Sequence, residues 1–264
     1  MDLRLKDKAV VVTGASRGIG LAVTRAFVEE GARVVAGART VSPELAELAA
    51  SGAVVPVTAD LATADGVTTL IGTAVERLDG LDVLVNNVGV ARARPGGFAS
   101  VTDEQWLETL TVNVLSAVRA ARAALPALLA ARGSMVTISS INAFLPDPGV
   151  IDYTASKAAL TNFSKALSKE VAPQGVRVNT IAPGPVSTEL WTGPGGIAET
   201  IATAMGVAPQ EAVDLAINGL GGLPTGRFTR PDEVADLVLM LASDRAANIT
   251  GADFTIDGGL VKTL

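Results

Sequence analysis

Tyr153 and Lys157 stand four residues apart in Tyr153-Thr154-Ala155-Ser156-Lys157. On a helix that spacing puts both on one face, with roughly 6 Å between their Cβ atoms. An ammonium so placed favours the phenolate, and a phenol that ordinarily titrates near ~10 then exchanges protons closer to neutrality. Ser140 follows the apolar run Met135-Val136-Thr137-Ile138, ahead of that helix. Its hydroxyl is placed to polarise a carbonyl or alcohol oxygen. Tyr and Lys at this spacing are common by chance, and a lone tyrosine is most often a packing residue. The rest of the composition sharpens the reading. The chain holds no His and no Cys, and Tyr153 is its one tyrosine. Ser-His-Asp and Cys-His catalysis, His- or Cys-based metal sites and disulfides are excluded. No metal site is expected, and acid–base work falls to Tyr, Lys, Asp, Glu or a cofactor.

A second constellation lies near the start, in Thr13-Gly14-Ala15-Ser16-Arg17-Gly18-Ile19-Gly20. An apolar run precedes it and a helical pattern follows. Strand, tight glycine turn and helix start together make an anion site. The backbone can approach a pyrophosphate closely, and the helix N-terminus offers free N–H groups. The spacing is G-x-x-x-G-x-G, not the commoner G-x-G-x-x-G, and a plain structural turn is the competing reading. Strand two ends Val34-Val35-Ala36-Gly37-Ala38-Arg39-Thr40. An acid at this tip would select NAD by binding the ribose hydroxyls. None occurs before Glu44. Arg39 stands there instead, and a guanidinium suits a 2′-phosphate. NADP(H) is the expected cofactor, with Arg17 able to add a second positive contact; a merely solvated Arg39 is the alternative. Asp60-Leu61 and Asn86-Asn87-Val88-Gly89 follow strands three and four. Asp60 suits an adenine amine but is also an ordinary turn residue. The two amides and glycine suit close approach to a ligand, or equally a capped turn.

These residues need a scaffold. Short Val- and Ile-rich runs at 9–13, 33–37, 53–58, 82–86, 134–139, 176–181 and 253–256 read as strands buried on both faces. Helical stretches lie between them, near 19–30, 44–51, 63–78, 102–131, 152–172 and 231–243. Thr102-Asp103-Glu104-Gln105 fits a capping box opening the long one. Strict alternation argues an α/β fold with a doubly wound parallel sheet, Rossmann-like, and helices on both faces. Ligands in such sheets sit beyond the carboxyl ends of the strands. The 264 residues, 48% hydrophobic, suit one domain over 1–264. The net charge is −6, and no Lys/Arg run suggests nucleic acid. No basic amphipathic stretch suggests a membrane surface. No 18-residue apolar span is apparent, and residues 1–8 alternate charge without a signal-peptide core. The expected compartment is cytoplasmic.

In this order, the motifs resemble the short-chain dehydrogenase/reductase family over essentially the whole sequence. They are the turn Thr13–Gly20, Asn86–Gly89, Asn113 in Val112-Asn113-Val114, Ser140, Tyr153-x-x-x-Lys157, Arg177-Val178-Asn179, Pro183-Gly184 and Asp257-Gly258-Gly259. The resemblance implies that Tyr153 is the general acid/base, that Lys157 lowers its pKa and holds the nicotinamide ribose, and that Ser140 positions the substrate oxygen. It implies that Asn113 keeps a helix kink open and holds a water serving a proton relay from Lys157. It places Gly14, Ser16, Arg17, Ile19, Arg39, Asp60, Leu61, Asn87, Tyr153, Lys157, Val186 and Thr188 around the cofactor, and implies a homotetramer. Val88 stands where the family usually has Ala.

The region about 187–230 should cap the substrate. Trp191–Gly196 reads as a hinge, a helix is expected over about 197–218, and Gly219-Leu220-Gly221-Gly222 follows. Glycines flanking an apolar helix suggest a moving lid. Phe144, Leu145, Trp191 and Met205 are expected in an apolar pocket wall, although packing or subunit contact serves equally for each. The reaction expected is NADPH-dependent reduction of a ketone, of apolar or aromatic character. The alternatives are an NAD-linked secondary alcohol dehydrogenase and a catalytically idle NADP(H)-binding sensor.

Overall fold

In the computed structural model, residues 2–219 and 221–263 are described; Met1, Leu220 of the glycine run, and Leu264 lie outside them. Seven parallel strands form one sheet in the order β3-β2-β1-β4-β5-β6-β7. They are β1 (Ala9–Thr13), β2 (Arg33–Ala38), β3 (Val54–Thr58), β4 (Val83–Asn86), β5 (Ser134–Ile138), β6 (Arg177–Pro183) and β7 (Asp253–Ile256). The helices joining them are α1 (Gly18–Glu29), α2 (Pro43–Ala50), α3 (Ala64–Leu78), α4 (Asp103–Leu110), α5 (Ser116–Ala131), α6 (Ile151–Val171) and α10 (Pro231–Ala242). Between β6 and α10 lie α7 (Glu189–Thr192), α8 (Ile197–Met205) and α9 (Pro209–Gly219).

The central strands are largely apolar because alternate side chains enter two different cores. Val10, Val12, Val34 and Val136 pack against Val23 and Phe27 of α1 and Val234 and Val238 of α10. Val11, Val35, Leu84 and Met135 meet Leu70 and Ile71 of α3 and Ala120, Ala124 and Leu128 of α5. Pro56, which cannot donate to a ladder, sits on the edge strand β3, paired on one side with Ala36. The strand order reverses between β1 and β4, so the crevice at the carboxyl ends of these strands is where a ligand fits.

Two expected helices are each divided. The stretch expected as one helix over 102–131 is α4, a π-helical turn over Thr111–Leu115, and α5. Its capping box is formed: Thr102 N–H donates to Gln105 Oε1 at 3.1 Å and Gln105 N–H to Thr102 Oγ1 at 3.4 Å. By length and a mean hydropathy of 1.5, Asp103–Ala131 would also pass for a membrane span, contrary to the sequence reading. Its apolar character comes from the Ala-rich face that α5 buries under the sheet. The lid helix expected over about 197–218 is α8 and α9. Gly206 ends α8 in the left-handed region (φ +69°), and Pro209 opens α9.

Candidate active site

The glycine turn is fixed by close backbone approach. A Cβ on Gly20 would lie 2.1 Å from Gly14 O, so α1 starts against the turn only because residue 20 has no side chain. Gly14 takes φ +67°. Thr13 Oγ1 donates to Val85 O at 3.2 Å and accepts from Asn87 N–H at 2.9 Å. Asn87 Nδ2 donates to Thr13 O at 2.9 Å and Gly14 O at 3.1 Å, tying β4 to the turn. Ser42, Thr63 and Thr102 cap α2, α3 and α4 with side-chain oxygens. Arg17, ahead of α1, makes no such bond, and α1 has no acid in its first turn. Those N–H groups face the cleft, which suits a phosphate.

One open cleft of about 2000 Å³ runs along this edge of the sheet. Gly14, Ser16, Arg17, Ile19, Arg39, Asp60, Leu61, Asn87, Val186 and Thr188 all line it, as do Ser140, Tyr153 and Lys157. Arg39 is exposed at the tip of β2. Asp60 Oδ1 accepts from Ala62 N–H at 3.0 Å, so this carboxylate serves a turn as well as lining the cleft. Arg17 lines the cleft as part of an exposed ion pair. Its Nη1 donates to Glu189 Oε2 on α7 at 2.9 Å.

At the other end, Tyr153 and Ser140 line the cleft together, and the Ser140 hydroxyl is near enough to favour the Tyr153 phenolate. Ser140 Oγ also accepts from Asn142 N–H at 3.2 Å. Ser139 is spent elsewhere, on Thr161 Oγ1 at 2.5 Å. Lys157 is buried, donates from Nζ to Ile138 O at 2.9 Å, and lies 5.6 Å from the centre of the Tyr153 ring. Burial pulls its amine down to about 8. Burial also pushes the Tyr153 hydroxyl above its ordinary value, against the pull of Ser140. The expectation that Lys157 lowers the phenol is therefore not met in the protein alone: the amine is turned to a carbonyl, and desolvation dominates both groups. A Cβ on Gly89 would come 3.3 Å from Lys157 Nζ, so glycine keeps the space beside the amine clear.

Asn113 does not line the cleft. It is fully buried in the π turn, where Oδ1 accepts from Val90 N–H at 2.8 Å and Nδ2 donates to Val90 O and Ser156 Oγ, both at 2.9 Å. The expected kink is present at this residue. Trp191, Ile197, Ile201, Met205 and Leu215 line the cleft mouth. Phe144 and Leu145 do not; Phe144 is 48% exposed on the 3₁₀ turn after β5. Sequence reading missed the ion pairs Arg92–Glu108 (2.7 Å) and Arg94–Asp152 (2.5 Å) beside the site. An acid directly ahead of Tyr153 was the one available signal for the second.

The family model described as enoyl-(acyl carrier protein) reductase matches residues 14–261. An uncharacterized oxidoreductase, YvrD of Bacillus subtilis, is 36% identical over 273 residues, covering 100% of both chains. The chain belongs to the short-chain dehydrogenase/reductase family. Among other short-chain dehydrogenases/reductases, the 3-oxoacyl-[acyl-carrier-protein] reductase FabG of Thermotoga maritima is 33% identical, covering 98% of this chain and 100% of its own. The L-sorbose reductase of Gluconobacter frateurii, solved with NADPH and L-sorbose, superposes with a TM-score of 0.89 at 34% identity, with 100% of both chains covered. The aldohexose dehydrogenase of Thermoplasma acidophilum gives 0.85 at 28%, again over 100% of both. Like these short-chain dehydrogenases/reductases, the chain is an oxidoreductase acting with a nicotinamide cofactor.

Proposed function

We propose that this protein is an NADPH-dependent carbonyl reductase that converts a ketone of apolar or aromatic character to a secondary alcohol. The observation that carries the reading is that Tyr153 and Ser140 line one cleft together, with buried Lys157 beside them and the glycine turn and Arg39 further along it. The residues present suit a dinucleotide: a glycine cradle that a Cβ would fill, uncapped helix N–H groups, and a guanidinium with no acid at the tip of β2. Arg39 would pair with the 2′-phosphate, Gly14 to Ile19 would hold the pyrophosphate, and Asp60, Leu61 and Asn87 would border the adenosine. Val186 and Thr188 would border the nicotinamide amide, and Lys157 its ribose.

A bound nicotinamide supplies the hydride that reduces the carbonyl carbon. The chain supplies the proton and the orientation. Ser140 Oγ donates to the substrate oxygen and polarises the carbonyl. Tyr153 donates its hydroxyl proton to that oxygen as negative charge develops there. Lys157, with its amine near 8, returns a proton toward the phenol, and Asn113 holds the loop at Val90 that closes the site behind it. Residues 187–230 act as the lid, and the apolar side chains of α8 and α9 at the mouth favour an apolar substrate. The NADPH held by the sorbose reductase and the 3-oxoacyl substrate class named for FabG support both the cofactor and the direction. We also propose a cytoplasmic homotetramer, to which Leu107 and Leu115, exposed on α4 and the π turn, offer apolar surface; sedimentation of the purified protein checks it.

The deciding experiment follows NADPH oxidation against ketones, β-ketoesters, quinones and sugars. Turnover with an apolar ketone is expected, and Tyr153→Phe should lower kcat by about a hundredfold or more. Undiminished turnover by that variant would remove the proton-donor role.

A further inference from the structure

Tyr153 and Lys157 lie on α6, which also carries a polar seam of which the mechanism above uses only Asn113. Thr109 Oγ1, in α4, donates to Asp152 Oδ2 at 2.7 Å. One turn on, Asn113 Nδ2 donates to Ser156 Oγ at 2.9 Å, and Ser156 Oγ donates to Tyr153 O at 2.6 Å. Residues 109 and 113 are thus matched with 152 and 156 as two successive rungs between α4 and its π turn on one side and α6 on the other. The loop after β4 ties both rungs together. Val90 holds Asn113 with two backbone bonds. Arg94 holds Asp152 with two side-chain bonds, from Nε at 3.2 Å and Nη2 at 2.5 Å. Its backbone N–H also donates to Gly149 O at 2.8 Å, just ahead of α6. The pair is nearly sealed, with 8% and 1% of the two side chains exposed. Such burial is costly unless every charge is matched. Here Asp152 has three donors, and Arg94 still borders the catalytic cleft.

We infer that Arg94 and Asp152 are positioning residues for the reduction, locking the first turn of α6 to the loop after β4 so that Tyr153 meets Ser140 and the substrate oxygen. The Asn113 rung fixes the helix at Ser156; it leaves rotation and tilt of the preceding turn free. The Arg94–Asp152–Thr109 rung removes that freedom, one residue from the proton donor. It also sets the local charge. Facing Asp152 are Arg94 and, further off, Arg92 from the loop; Glu108 on α4 faces Arg92 and Arg94, with Arg39 within reach of it. Asp147 lies in the turn before α6, and Tyr153 and Lys157 lie on α6 itself. The four charges Arg92, Glu108, Arg94 and Asp152 cancel, so the phenol sits beside a neutral seam. Removing either member of the buried pair leaves a bare charge next to it, of opposite sign in the two cases.

This inference rests on the proposed reduction, and the same assay separates the two. With NADPH and the best ketone found above, the pH profile of kcat/KM is measured for Arg94→Ala, Asp152→Asn, the double variant, Arg94→Lys and Thr109→Val, alongside Tyr153→Phe. The ionisation that limits the rate should move up in Arg94→Ala and down in Asp152→Asn, each by about half a unit or more, and return toward the parent value in the double variant. Arg94→Lys keeps the charge and loses the two-point grip, so its profile should stay put while kcat falls about tenfold; Thr109→Val should lower kcat with an unmoved KM for NADPH. Shifts of equal sign in the two single-charge variants overturn the inference. If those variants fail to fold, unchanged kcat in both Arg94→Lys and Thr109→Val overturns it. An inactive Tyr153→Phe beside unaffected seam variants sinks this inference and keeps the reductase; an active Tyr153→Phe sinks the reductase first.

Discussion

Lys157 is held in a buried environment. Its amine is lowered from 10.5 to about 8 by burial alone. The unfolded chain therefore binds a proton there that the folded chain does not, between about pH 8 and 10.5. Stability of the cofactor-free protein should rise across that window through this residue, and the burial penalty is fully present below pH 8. Tyr153, raised above 10.0, works the other way above that value. Urea titrations at pH 7.5, 8.5 and 9.5 are expected to show a rise that Lys157→Met abolishes. Arg39 carries a separate expectation. Arg39→Ala should raise KM for NADPH about tenfold or more and leave that for NADH nearly unchanged, since the partner proposed for the guanidinium is the extra phosphate. Equal change for both cofactors would return Arg39 to the solvent. The side chains proposed to do the chemistry were legible in the sequence because their types are scarce here: one tyrosine and no His or Cys leave few candidates. The state of those side chains was not legible. Spacing alone set Lys157 beside Tyr153, but the bond from Lys157 to Ile138 O and the shared burial decide the direction of both shifts, and those depend on β5 lying alongside α6.

At the scale of elements, the strands were readable to within a residue or two, since period-two burial on both faces leaves a continuous apolar run. Helix continuity was harder. Only one of the two breaks is marked by a proline within the expected helix. The lid helix breaks at Gly206 with Pro209 following, a signal available in the sequence and outweighed by the apolar pattern on both sides. The break in 102–131 falls where Asn113 bonds Val90, a tertiary contact that leaves no mark in the hydrophobic periodicity and was marked only by the family resemblance at Asn113. Glycines tell a similar story: the turn was legible as flexible, whereas Gly20 matters through contact. Gly20→Ala should destabilise the protein by about 3 kcal/mol or more, because the new Cβ would meet Gly14 O and Asn87 Nδ2 with no room to relax. A denaturant midpoint within error of the parent would show that the turn can open.

For the whole molecule, the sheet order puts all the residues expected around the cofactor on one cleft, although they come from α6 and from the segments at and after the ends of β1, β2, β3, β4 and β6. That convergence was predictable from alternation and parallel pairing. The composition of the mouth was less so, since Phe144 was expected there and instead faces solvent while Ile201 and Leu215 take the wall. Ile201→Asp should raise KM for an apolar ketone at least about tenfold with KM for NADPH unchanged, because a carboxylate at the mouth cannot leave water when such a substrate enters. An equal effect on a polyol ketose would argue for a lid defect instead of a specificity change.

The π turn at Thr111–Leu115 has a bearing on how this chain can drift. It carries one more residue per turn than a regular helix, and each helical residue turns the chain by about 100°. Loss of any single residue there would heal the helix into a smooth rod. The same loss would swing Thr109 and everything before it away from Asp152, or Ala117 and everything after it out from under the sheet. Length changes should therefore accumulate in the surface loops of this lineage and be purged from these five positions, whatever the side chains they involve.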